Sequence, residues 1–238
     1  MKVDVLAIGV HPDDVELGCG GTILKHLHQG YKVGILDLTR GELGTRGTAQ
    51  TRDSEATNAA KILGVAFRDN LGFADGFFTN DREHQLKLIQ AIRKYQPSIV
   101  ITNAERDRHP DHGRASQLTE DACFLSGLAK IETKDGGPNQ AAWRPKAIYH
   151  YVQAHFMDPD VVVDISGFME RKMEAVLAFN TQFYDPESKE PETFISSPEF
   201  LKLVESRAIE LGKSIGVNYG EGFTKRSRVG TSDLLSLL

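Results

Sequence analysis

The sequence predicts an α/β fold, a Rossmann-like, mostly parallel central sheet with helices on both faces. Short apolar runs at 3–10, 32–38 and 98–102, too brief for helices, alternate with longer segments of helical spacing. Glycine or proline follows several helical segments as a stop signal. The 238 residues suffice for one well-cored α/β unit and are few for two, so a single domain is expected over 1–238.

Residues 3–10 read as a central strand because they are almost continuously apolar. A Gly-rich turn follows, then a helix over 22–29 that Gly30 ends. A second strand covers 32–38, a polar loop 39–50, and a helix 52–63 with Gly64 as its stop. Residues 66–71 form a third strand. Leu86, Ile89, Ile92 and Tyr95 mark a helix over 82–95, which Pro97 prevents from continuing. A fourth strand at 98–102, a loop around His109 and a helix over 112–130 complete the regular part. The second half is looser, with a surface loop at 133–145 and strands at 147–152 and 161–165. A helix over 167–179 is followed by a proline-bearing loop at 185–198, long enough to act as a lid, and by a helix over 199–212.

Composition narrows the function. Thirty-three acidic against twenty-eight basic residues give a net charge of -5, which argues against nucleic acid as a partner. The apolar segment at the start is short, contains Asp4 and lacks a small-residue cleavage site, and no run approaches a membrane span. A cytoplasmic protein with no membrane partner is expected. Cys19 and Cys123 provide neither a disulfide framework nor a Cys-x-x-Cys knuckle and read as buried thiols.

The chemistry gathers in two clusters, His11-Pro12-Asp13-Asp14 after the first strand and His109-Pro110-Asp111-His112 after the fourth. His11 and Asp14 stand three apart, so a tight turn aims both at one point with Asp13 beside them. A histidine from elsewhere completes a three-ligand set with an open position, as catalytic zinc requires, and His112 is the candidate. Asp13, unligated, is then placed to accept a proton from water attacking a carbonyl, and His109 to protonate the leaving amine. Asp111 is expected to hydrogen-bond an imidazole and hold its tautomer. Alone, an Asp-Asp pair is a helix cap and a loop histidine is merely solvated. Two such clusters, each after a predicted strand, favour one shared site, because parallel sheets gather active sites at their strands' carboxyl ends. The chain has no complete G-x-G-x-x-G, no P-loop, no H-E-x-x-H and no G-x-S-x-G.

These clusters, the Gly18–Thr22 segment, Asp37-Leu38-Thr39-Arg40-Gly41-Glu42-Leu43-Gly44-Thr45-Arg46-Gly47-Thr48 and the late Tyr219-Gly220-Glu221-Gly222-Phe223 resemble the LmbE/PIG-L family of zinc-dependent de-N-acetylases over nearly the whole chain. Within that family the chain most resembles the bacillithiol-pathway deacetylases, which remove acetate from N-acetylglucosaminyl malate. The resemblance implies an LmbE-like fold, with His11, Asp14 and His112 as zinc ligands, Asp13 as general base and His109 as general acid or oxyanion partner. It also implies a homo-oligomer, a trimer or hexamer. Some members place a tyrosine near the catalytic histidine. Here Asp107 precedes Arg108-His109, and Tyr184 on the predicted lid is the candidate substitute.

Arg40, Arg46, Arg52, Arg106 and Arg108 stand in the loops expected around the metal. Either they pair with Glu42, Asp53, Glu105 and Asp107, or one or two hold the malate of a small anionic amino-sugar substrate. Arg52 is the leading candidate, with Arg108 beside it. Phe73, Phe77 and Phe78 would supply an apolar wall or a subunit contact. His150 and His155 are left outside the site. The function expected is hydrolysis of an acetamide on an amino sugar, with Zn2+ or alternatively Fe2+ or another divalent ion. The rivals are a de-N-acetylase of free N-acetylglucosamine, chito-oligosaccharides or another N-acyl conjugate, and a non-catalytic metal- or sugar-binding module.

Overall fold

The computed structural model describes residues 1–237. Its central strand, β1 (Val5–Gly9), runs parallel to β2 (Val33–Thr39) on one side and to β4 (Ile99–Thr102) on the other. β3 (Arg68–Phe73) continues the parallel set beyond β2, and β5 (Ala147–Tyr151) continues it beyond β4. β7 (Gly220–Thr224) then adds antiparallel to β5, and β6 (Val161–Asp164) antiparallel to β7. The sheet order is therefore β3-β2-β1-β4-β5-β7-β6.

β1 is apolar throughout because both of its faces are covered. Leu6 and Ile8 join one core with Leu88 and Ile92 of α3 (Arg82–Tyr95) and Leu118 and Ala122 of α4 (Pro110–Ser126). Val5 and Ala7 join the opposite core with Val15 and Ile23 of α1 (Asp14–His28) and Ala175 of α5 (Met169–Leu177). α2 (Ala49–Leu63) opens on a Thr48–Thr51 capping box and closes on Gly64 in the left-handed region. α6 (Pro198–Ser214) is capped by Ser197 and starts on a proline at its first position.

Three sequence expectations are corrected. The glycines at 18–21 form no turn, because α1 begins at Asp14 and runs through them. They serve close approach: a Cβ on Gly18 would sit 2.2 Å from the Tyr151 ring, and one on Gly21 2.7 Å from Ile165. α1 bends at Cys19 (φ -148°, ψ 19°), and the Gly21 and Thr22 amides donate to the Glu221 carboxylate at 2.9 and 2.7 Å. α4 starts two residues earlier than predicted and ends at Ser126, because Pro110 fits the first helical position and His109 caps it. β7 was not predicted as a strand, since Gly-Glu-Gly-Phe-Thr shows little strand propensity. The predicted lid holds a single 3-10 turn at Phe194–Ser196. Among the described residues, no helix is long and apolar enough to cross a membrane.

Candidate active site

β1 and β4 are neighbours from which the chain proceeds in opposite directions across the sheet, the point where an open α/β sheet leaves a crevice at its carboxyl edge. A cavity of about 570 Å³ opens there. His11, Asp13 and Asp14 enter it from the end of β1, and Arg108, His109, Asp111 and His112 from the end of β4.

Asp13 occupies the position before α1 where an aspartate ordinarily caps the helix, yet its side chain makes no cap bond. Its φ of 127° is a strained value for a residue other than glycine. The carboxylate faces Arg52, whose Nη2 donates to Asp13 Oδ2 at 3.0 Å and also to the Pro12 carbonyl. Burial pushes the Asp13 carboxyl up, the Arg52 charge opposes this, and Asp14 reinforces it, leaving the group near 7.

Asp14 is held in a different way. His11 N donates to its Oδ2 at 2.9 Å, Asn103 Nδ2 to the same oxygen at 3.0 Å, and Gln153 Nε2 to Oδ1 at 2.9 Å. His112 Nε2 lies 3.2 Å from Oδ1 and His11 Nδ1 3.6 Å from Oδ2. Burial alone would raise this carboxyl, but His112 and His11 outweigh it and hold it well below the usual range. Burial likewise pulls His112 down, while Asp14 and Asp107 overcome it and lift the imidazole to about 9.

The second loop orients its own histidines. Asp107 Oδ2 stands 2.6 Å from His112 Nδ1, and its other oxygen accepts from His155 N at 2.6 Å. His109 Nδ1 accepts from Asp111 N at 3.3 Å, so the proton of the neutral ring is on Nε2. Burial and the neighbouring His11 and His112 charges hold its pKa below the ordinary value. Asp111 Oδ2 accepts from Gly76 N at 2.8 Å and its Oδ1 from Arg114 at 2.6 Å. It approaches His11 Nε2 only to 3.7 Å, and the partner of that nitrogen is Asp75 at 3.0 Å.

The donor set suits a divalent cation. Ring nitrogens of His11, His109 and His112 lie within 4.8 Å of one another, and so do donor atoms of His11, Asp75 and Asp111. Imidazole and carboxylate without thiolate is a set that zinc, iron and related ions all accept.

Arg52 lines the cavity, although its guanidinium is engaged by Asp13 and by Gln182 Oε1 at 2.9 Å. Arg108 is exposed, with its guanidinium 4.6 Å above the Phe194 ring. Tyr184 is 44% exposed and is not among the residues lining the cavity. Of the other arginines, Arg40 pairs with Asp53, and Arg46 bonds Ser188 and lies 3.6 Å from Glu190. Sequence reasoning missed Asn103, Gln153, Asp75 and the orienting role of Asp107. Asn103 follows directly on β4 and Gln153 stands two residues beyond β5, the same strand-end signal that exposed the histidines.

A doubly wound sheet with histidines and carboxylates converging at its switch point defines the class, an α/β enzyme with a crevice at the carboxyl edge of its sheet. A family model described as PIG-L: GlcNAc-PI de-N-acetylase matches residues 6–123. Diacetylchitobiose deacetylase of Thermococcus kodakarensis is 33% identical over 230 residues, covering 92% of this chain and 81% of that protein. A probable N-acetyl-alpha-D-glucosaminyl L-malate deacetylase 2 of Bacillus anthracis is 25% identical, covering 75% of this chain and 81% of its own length. The crystal structure of the conserved protein TT1542 from Thermus thermophilus superposes with a TM-score of 0.87 at 37% identity, covering 98% of both chains. The chain belongs to the PIG-L/LmbE family of deacetylases.

Proposed function

We propose that this chain is a divalent-metal-dependent de-N-acetylase of N-acetylglucosaminides, with His11, Asp14 and His112 as ligands and zinc as the ion. The observation that carries the reading is the division of labour within the Asp13-Asp14 pair. Asp14 is held by two side-chain amides and faces two imidazoles, as a ligand should be, while Asp13 forgoes its helix-capping role and keeps a carboxyl that titrates near 7. A pKa near the working pH suits a general base.

A bound cation supplies Lewis acidity, polarising the amide carbonyl and lowering the pKa of water. Asp13 takes the proton of the attacking water, and Arg52 fixes the oxygen that does not. His109, whose Nε2–H is left available, hydrogen-bonds the developing oxyanion, and the proton that Asp13 takes from water passes to the departing nitrogen. Asp107 holds the His112 ring, and Asp111 anchors the start of α4 to the Gly76 loop. Arg52 therefore acts on the base rather than on the sugar.

The substrate placed first is an uncharged N-acetylglucosaminide such as diacetylchitobiose. Arg40, Arg46 and Arg52 already have partners within the chain, and a diacetylchitobiose deacetylase is 33% identical. A second reading, N-acetyl-glucosaminyl L-malate, rests on Arg108, which lines the cavity and forms no ion pair among the described residues. Acetate release from diacetylchitobiose, free N-acetylglucosamine and the malate conjugate, measured after chelation and after Zn2+ or Fe2+ add-back, tests the proposal. Metal-restored release that is fastest on diacetylchitobiose is expected. Preference for the malate conjugate would replace the first substrate by the second, and release unaffected by chelation would overturn the metal.

A further inference from the structure

Building on that reading, we infer that the cavity accepts N-acyl groups much longer than acetyl, seating an aliphatic acyl chain in an arm walled by α6, β5 and β7. The arm is part of the cavity described above but has a different lining. Phe200, Val204, Ala208 and Leu211 of α6 recur at four-, four- and three-residue intervals, which makes one apolar stripe along the helix. The eleven helical steps from Phe200 to Leu211 make that stripe about 16 Å long. Leu17 of α1 and Val152 at the end of β5 also line it, and Gly220 and Gly222 let α6 pack directly on β7 and close its floor. An acetyl methyl would cover only a small part of this surface.

Sheet order decides which half of the substrate meets the arm. The scissile amide lies at the ends of β1 and β4, between an amine half and an acyl half. On the β2 and β3 side stand polar groups suited to a sugar, namely Asp75 and Thr45. Leu43 and Phe77 on that side stand in solvent, 60% and 79% exposed, and do not enclose a chain. On the β5 and β7 side stands the apolar arm, where Ala208 and Leu211 are 3% and 5% exposed. A sugar amine on the first side directs the acyl group into the second.

The charged groups in the arm are compatible with this. Lys172 Nζ donates to Glu221 Oε1 at 2.6 Å and to the Leu17 carbonyl at 2.8 Å, while both Glu221 oxygens accept amides of α1. That pair is closed on itself. Arg207, half-buried, donates to the Ala154 carbonyl at 3.1 Å. The reaction is the same hydrolysis: the water oxygen bonds to the acyl carbon, the C–N bond breaks, and the nitrogen takes up a proton. The products are a fatty carboxylate and the free amino sugar.

The test compares N-octanoylglucosamine, N-acetylglucosamine and the octyl glycoside of N-acetylglucosamine on the metal-loaded wild-type enzyme. Each buried methylene is worth roughly fourfold in binding. N-octanoylglucosamine should therefore show a KM at least tenfold below that of N-acetylglucosamine. The Ala208→Phe and Val204→Trp variants should each lower the octanoyl-to-acetyl ratio of kcat/KM at least tenfold, and Val204, half-buried, provides the variant if Ala208→Phe fails to fold. Hydrolysis of the acetyl compound with none of the octanoyl compound would overturn the acyl arm and leave the deacetylase reading intact. So would a chain benefit confined to the octyl glycoside, or an unchanged ratio in Val204→Trp. Failure to hydrolyse any N-acyl sugar would overturn both.

Discussion

Asp13 and Asp14 carry the same side chain one residue apart, and their surroundings drive their ionisation in opposite directions. Burial raises Asp13 against the pull of Arg52, whereas the two imidazoles outweigh burial at Asp14. Two carboxyls forced apart in this way are suited to different tasks, one to exchange a proton and the other to stay charged. Asp13→Asn preserves the size of the side chain and can still face Arg52 through its amide oxygen, but it accepts no proton from water. We expect kcat on the N-acetyl sugar to fall roughly 10²–10⁴-fold with bound metal, read by elemental analysis, unchanged. Full turnover in the metal-loaded variant would remove Asp13 from the role of base. Asp107 makes the complementary point for histidine: its 2.6 Å contact fixes which nitrogen of His112 faces Asp14.

At the level of elements, α1 sets the position of His11 and both aspartates, and its seat on the sheet depends on glycine. A Cβ at Gly18 would meet the Tyr151 ring at 2.2 Å, and Tyr151 is fully buried with little room to retreat. Gly18→Ala should destabilise the fold by about 1–3 kcal/mol through overpacking, despite alanine's better helix propensity. Thermal unfolding gives the sign directly, and a stabilised variant would show that α1 can shift. The same glycines explain what the sequence hides. β1, β2 and β4 are legible because strands buried on both faces read as apolar runs. The first turns of α1 are not, because a run of Gly-Cys-Gly-Gly carries the local signature of a turn and only contact with Tyr151 and Ile165 overrides it. β7 is hidden for the same reason, as its glycines lie against α6 and Pro159 rather than alternating with apolar side chains. His11, Asp14, His109 and His112 stand out as residue types at strand ends. The tasks of Arg52, Asp75 and Asp107 depend on loop paths that bring together residues tens of positions apart in two of the three cases.

Across the whole molecule, a net charge of -5 is distributed so that Asp13, Asp14, Asp75, Asp107 and Asp111 gather at one edge of the sheet. Arg52 answers only Asp13, and Arg114 answers Asp111 from the α4 side. Protonated His11 and His112 balance part of the remainder, their pKa values raised by the carboxylates against the opposing effect of burial. A divalent cation supplies the same compensation without protonating the imidazoles, so it should bind the folded chain and not the unfolded one. The linkage is then quantitative: at a hundredfold excess over Kd, binding adds about 2.7 kcal/mol to stability. For a chain of this size that corresponds to a rise in Tm on the order of 5–10 °C. Calorimetry on chelated protein, with and without Zn2+, should show that rise, and the Asp14→Asn variant should show a smaller one. Equal Tm values with and without the ion would mean that the edge is neutralised by its own histidines and arginines, with no resident metal.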